Sequence, residues 1–197
     1  MGKRLVRCPF LKLAGLFAAG ILVGMGLQAG LESGTSSAAQ EIPAPSPETR
    51  VRDLKLKLPP VSRPTNTLVN TLRVGNFLYV SGTGPGKVDG KAVVGRLGQD
   101  LDVAKGRAAA RLVGLQMLSV VRAELGSLNY VQRLVKTFGM VNATPDFKQH
   151  PQVINGFSDL MVEVFGDDAG KGTRSAVGMS SLPGGIPVEI EAVFEVR

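Results

Sequence analysis

The 197-residue chain has one cysteine, one histidine, no tryptophan and only two tyrosines. A lone cysteine, Cys8, excludes an intramolecular disulfide in any compartment. A lone histidine, His150, leaves no second ring for a His/Cys metal site and weakens the case for a histidine-based triad. No metal site is expected. Flanked by Gln149 and Pro151, His150 reads as a loop histidine at the start of a helix.

Acidic residues are scarce at one end only. Glu32 is the single acid before residue 40, while Lys3, Arg4, Arg7 and Lys12 all precede residue 13. Much of the net charge of +7 is therefore local, and residues 40–197 hold 19 basic against 15 acidic residues. That remainder is thinly spread, with no Lys/Arg run and few aromatics between its charges. It argues against a nucleic-acid partner.

What the amino terminus does contain is ordered. Basic "MGKRLVRCPFLK" is followed by the uncharged, largely apolar residues 13–31 and then by small residues, "SGTSSAAQ". This is the order of an export signal, with cleavage before Gln40. An uncleaved anchor is the alternative reading, because 19 such residues roughly span a bilayer. Either way residues 40–197 are expected outside the cytoplasm, periplasmic or secreted, and membrane-attached only if residues 1–39 are retained. Cys8 precedes the apolar stretch and there is no Arg-Arg pair, which excludes lipoprotein and twin-arginine signals.

Residues 40–64 hold six prolines, Pro43, Pro45, Pro47, Pro59, Pro60 and Pro64. Such a segment predicts an extended linker, with a short edge strand at most in "VRDLKLKL". The folded domain is then 65–197. "LVNTLRVGNFLYVSGTGP" predicts a hairpin turning at Gly75-Asn76, and Ala92–Val94 a further short strand. Residues 100–125 predict a helix capped by Asp100 and ended by Gly126, with Leu101, Ala104, Ala108, Leu112, Leu115 and Leu118 on its buried face. The Val, Phe and Tyr content of 130–143 favours a strand. Pro151–Phe165 predicts a second helix with Val153, Phe157, Leu160, Met161 and Val164 inward. A closing hairpin completes an α+β architecture, a mostly antiparallel sheet with two helices on one face. The glycines at 82, 84, 86 and 90 lack a P-loop lysine and read as turns.

In the last strand, alternation puts Val188, Ile190, Ala192, Phe194 and Val196 on one face and Glu189, Glu191 and Glu195 on the other. Alone, this reads as the wet side of a sheet, and Arg174 as a surface arginine.

The combination is more specific. Arg174-Ser175, then Leu182-Pro183, then Glu189-Ile190-Glu191-Ala192 resembles the C-terminal signature of the YjgF/RidA (Rid) family. "VGNFLYVSGTGP" resembles its strand ending in Ser-Gly, here Ser81-Gly82. The resemblance covers roughly residues 65–197 and implies a chorismate-mutase-like fold, a homotrimer with ligand clefts between subunits, and no cofactor. It implies hydrolysis of reactive enamines and imines, such as 2-iminobutanoate, to 2-keto acids and ammonia. Arg174 would hold the substrate carboxylate, as a planar bidentate cation suits it to do. Glu189 would activate water, and Ser81, Gly82 and Asn155 would complete the substrate-binding cleft. The chain departs from the family at Thr83-Gly84, where Gln-Ile is usual, and in "KQHPQVING". No residue clearly matches the tyrosine often found before the first strand, where Asn66 and Asn70 stand. It therefore resembles a less-characterised branch. A non-catalytic trimeric module capturing small carboxylates is the alternative, and an endoribonuclease a distant third.

Overall fold

The structure, a computed structural model, describes residues 44–62 and 67–197. Residues 1–39, where an export signal is expected, and Asn66 lie outside the described residues.

The proline count of residues 40–64 predicts extended chain, yet Pro47–Asp53 forms a helix, α1. The reason is position. Pro47 occupies the first turn, where a missing N–H costs nothing, and no proline follows until Pro59. Ser46 caps it, its hydroxyl accepting from the Thr49 N–H at 3.3 Å. Val51 is buried in the core, and Leu56 and Leu58 pack against it. The expected strand in "VRDLKLKL" does not form.

Thr71–Val74 (β1) and Phe77–Thr83 (β2) make the predicted hairpin, with Gly75 at φ 58 in the tight turn. Lys87–Val88 (β3) and Lys91–Ala92 (β4) form a separate two-stranded ribbon. Val103–Leu125 (α2) is capped by Asp102, whose carboxylate accepts from the Lys105 N–H at 2.8 Å. Asp100 instead caps the preceding turn through the Arg96 N–H at 3.0 Å. Then come Val131–Asn142 (β5), His150–Phe165 (α3), Thr173–Met179 (β6) and Val188–Val196 (β7).

The buried stripe of α2 differs from the expected one. Ala104 and Ala108 are exposed, while Ala109, Ala110, Val113, Met117 and Val121 are buried with Gly106 and Gly114. Small residues mark the face because α3 approaches closely. A Cβ added at Gly114 would press on Leu160, and one at Gly156 would overlap the Arg107 carbonyl. The expected stripe of α3 is buried throughout.

The five-stranded sheet has the order β1-β2-β7-β5-β6, antiparallel except for the parallel β5–β6 pair. A closing hairpin of β6 and β7 is thus not what forms. β5, α3 and β6 build a strand–helix–strand unit, and β7 pairs on the other side of β5. The architecture is α+β with a mixed sheet and three α-helices among the described residues, rather than two. Alternate residues of β7, Val188 to Val196, face the helical core and are buried.

Glu48 ties α1 to this core. Its carboxylate accepts from the Arg122 guanidinium and, at 2.9 Å, from the Leu128 N–H. Burial alone would raise its pKa, but these bonds outweigh burial and hold the carboxyl below its ordinary value. A depressed folded-state pKa gives stability that is complete above the ordinary carboxylate range and lost as pH falls through the depressed value. Glu48→Gln should therefore cost about 1–2 kcal/mol at neutral pH. Thermal denaturation should show that difference shrinking in acid; a gap that persisted there would refute the ion-pair account.

Candidate functional site

Arg174 lies on β6, the sheet edge, in one row with Thr137 of β5 and Ala192 of β7. Ala192 faces the helical core, so Arg174 rises on the helix-covered face. There its Nη1 donates to Asn155 Oδ1 at 2.8 Å and to Ser158 Oγ at 3.0 Å, both on α3. One guanidinium nitrogen is thus held by two acceptors, leaving Nη2 and Nε free of these two bonds to meet a carboxylate. The depression beside it, about 170 Å³, is lined by Thr137, Ser158, Lys171 and Arg174 with apolar neighbours. Asn155, only loosely aligned from sequence, is firmly an Arg174 partner. Ser158 escaped the sequence reading, although its i+3 spacing from Asn155 on a helix was the available signal.

Glu189, the second residue of β7, lies in a row with Met140 of β5 and Val177 of β6, on the face the helices leave open. The β2–β7 register shifts between Val80 and Thr83, and this irregularity brings Gly82 against the glutamate. A Cβ on Gly82 would overlap the Glu189 carboxylate, which would have to turn aside to make room. Partial burial pushes the Glu189 carboxyl above its ordinary value, and the charge of Glu191 adds to the rise. A carboxylate made harder to ionise beside an open surface is suited to accepting and returning a proton.

Ser81 has a different task. Its hydroxyl donates to the Val69 carbonyl at 2.6 Å and its N–H to the Asn70 carbonyl at 3.0 Å. It anchors the segment before β1 and so fixes the approach to Gly82. Asn70 is engaged in turn by the Ser62 carbonyl, to which its Nδ2 donates at 2.8 Å.

The predicted residues therefore gather in two groups, Arg174 with Asn155 and Ser158, and Glu189 with Gly82. They do not meet within one chain. A hairpin would put Arg174 and Glu189 on neighbouring strands, but β5 runs between β6 and β7. Two strand spacings across, three residues along and opposite faces separate them by more than about 10 Å. The open face around Glu189 is apolar for a surface. Leu72, Val74, Phe77 and Tyr79 are exposed there, and a shallow depression of about 740 Å³ is lined by Phe77, Tyr79, Phe138, Lys136 and Glu191, among others. A patch of this kind marks an interaction surface.

Residues 48–184 match the family described as "YjgF/chorismate_mutase-like, putative endoribonuclease". Protein TCP17 of Trypanosoma cruzi is 41% identical over 144 residues, covering 73% of this chain and 90% of the relative. The solved structure of the protein Atu1372 of Agrobacterium tumefaciens, whose function is unknown, is 40% identical with a TM-score of 0.69, over 77% of this chain and 94% of that one. A Shewanella oneidensis protein described as a "putative endoribonuclease" is 29% identical with a TM-score of 0.72, over 77% of this chain and 99% of that one.

Proposed function

The chain belongs to the YjgF/chorismate-mutase-like family, and on that premise we propose that it hydrolyses small carboxylated enamines or imines to 2-keto acids and ammonia. One observation carries the reading: Glu189 is a half-buried carboxylate of raised pKa, fitted against a glycine and facing an open apolar surface. The enamine first shifts a proton from nitrogen to its terminal carbon, giving the imine. Water then adds to the C=N carbon while Glu189 takes one of its protons. Glu189 returns that proton to nitrogen, giving the carbinolamine; it then carries the hydroxyl proton to the same nitrogen, the C–N bond breaks, and ammonia leaves as the carbonyl forms. Arg174 holds the substrate carboxylate and orients the C=N bond toward the water.

Arg174 and Glu189 stand on opposite faces, so a site using both is completed between subunits of a homo-oligomer, which we take to be a trimer. The edge position of Arg174 and the apolar face beside Glu189 support that arrangement.

A second reading is a carboxylate-binding module without catalysis. It is favoured by the Arg174–Asn155–Ser158 group, which is complete within one chain. Turnover of 2-aminoacrylate generated in situ, set beside binding of pyruvate, separates the two. Hydrolysis by the wild type supports the enzyme; pyruvate binding at Arg174 with no hydrolysis supports the module. The endoribonuclease description of the relatives fits this chain least. Phe77, Tyr79 and Phe138, rings on the open face, share it with Glu189, Glu191 and Glu195, whose charge repels phosphates.

A further inference from the structure

A second polar cavity lies at the other end of β5 and β6, where α3 begins. It has a volume of about 380 Å³, and neither Arg174 nor Glu189 lines it. Its floor is built around Arg96. Leu97 bridges to Ala143 at the end of β5, donating to the Asn142 carbonyl at 2.8 Å and accepting from the Thr144 N–H at 3.0 Å. The Arg96 carbonyl accepts from the Asp100 and Leu101 N–H groups, closing a tight turn. The Arg96 backbone is thus pinned on both sides, and its side chain is delivered to the cavity.

That side chain is unmatched. Arg96 Nε is buried without a hydrogen-bond partner, and Arg96 joins no ion pair among the described residues. A buried donor without an acceptor is costly, and such groups call for an explanation. Lys148 adds a second permanent cation, its ammonium donating to the Pro145 carbonyl at 2.9 Å with two protons to spare. His150 supplies a third nitrogen-bearing group, and its placement is well defined. The imidazole lies over Gly178, where a side chain would collide with it, and meets the Phe147 ring edge-on at 5.3 Å. α3 starts at this wall with no side-chain cap from Gln149.

Among the described residues no acid lines the cavity. Of the nearby carboxylates, Asp100 accepts from the Arg96 N–H, and Asp146 stands outside the lining, beside Thr144 and Lys148, held below its ordinary pKa by Thr144, its own backbone N–H and the Lys148 charge. Thr144 Oγ1 is itself buried with no bond of good geometry, so the approach to Asp146 does not satisfy it.

We propose that this cavity is an anion site for a phosphate group, free or as a phosphate monoester, held by Arg96 and Lys148 with His150 and Thr144 at its edge. Two permanent cations without a lining acid suit an anion of more than one charge, and a phosphate monoester carries about 1.5–2 negative charges at neutral pH. Guanidinium donors fit its oxygens bidentately.

The single histidine makes the test direct, because the chain has one imidazole to observe. Burial holds the His150 pKa below its ordinary value, and the charge of Lys148 lowers it further. A bound phosphate anion opposes that cationic field. Titrating the imidazole signal of the full chain by NMR, in phosphate and in chloride at matched ionic strength, should show the His150 pKa about 0.5–1 unit higher in phosphate. Arg96→Met should abolish the rise, and so should Lys148→Ala, an exposed position whose replacement leaves the fold intact. Acetate should reproduce little of it. An unmoved pKa, an equal rise in acetate, or a rise that survives in Lys148→Ala would overturn the assignment. Because Arg174 and Glu189 are elsewhere, Arg174→Ala should leave the phosphate effect unchanged even if the proposed hydrolysis fails.

Discussion

Replacing Glu189 with glutamine should lower kcat for 2-aminoacrylate by about 10²–10⁴-fold, the range that general acid–base groups contribute. KM should change little, because Arg174 carries the substrate carboxylate and glutamine nearly preserves shape. The same substitution should raise thermal stability at neutral pH. Burial and Glu191 push the Glu189 pKa upward, so ionising this group works against the fold. The penalty grows as pH rises from the ordinary carboxylate value through the raised one, and it is absent below both. Glutamine removes that penalty. Lost turnover together with gained stability is the signature of a carboxylate kept for chemistry rather than for folding. The wild-type rate should fall on the acid side with a midpoint above the usual glutamate range. Unchanged kcat in Glu189→Gln would remove Glu189 from the mechanism.

Gly156→Ala should be the most disruptive single-methyl change in the helical layer. Gly156 of α3 sits against the Arg107 carbonyl of α2, and the added carbon would overlap it. The obstacle is backbone and cannot rotate away. The helices must separate, loosening Phe157 and Leu160, both fully buried at the seam. Overpacking of this kind costs about 1–3 kcal/mol, occasionally more. Against it stands a helix-propensity gain of up to about 1 kcal/mol for replacing glycine. A net loss of a few degrees in Tm is expected. An unchanged or higher Tm would mean that the two helices are not in the close contact described.

Much of this fold can be read from residue pattern, and the exceptions have physical reasons. The strict alternation of β7 and the apolar spacing of α3 both survive, since each has one buried side and large side chains to mark it. α2 misleads because glycine and alanine line its seam, and these residues look like nothing in a search for leucines. The prolines of residues 40–64 mislead because their number says less than their places: Pro47 starts a helix that the same residue in mid-helix would break. The pairing of β6 with β5 rather than β7 is the least visible feature. Two strands close in sequence suggest a hairpin, but α3 returns the chain parallel to β5, and residues 180–187 then carry it across β5 to the far side.

The same crossing decides what can be read of the site. Arg174 and Glu189 are marked by a family signature in one dimension, and Gly82 by its Ser-Gly strand end. Their faces depend on strand order, which spacing does not encode. Asn155 is visible only as an approximate match, and Ser158 only once α3 and Arg174 are seen together.

The central claim is that Arg174 of one subunit and Glu189 of another serve one site. Arg174→Ala and Glu189→Gln chains, each inactive alone, can be unfolded together in equal amounts and reassembled. In a closed ring of identical interfaces, random mixing gives about a quarter of the sites both intact residues. Recovery of roughly a quarter of wild-type 2-aminoacrylate turnover is the predicted result. Reassembled mixed oligomers with no recovered activity, from a wild type that is active, would show that both residues act within one chain, contradicting the account.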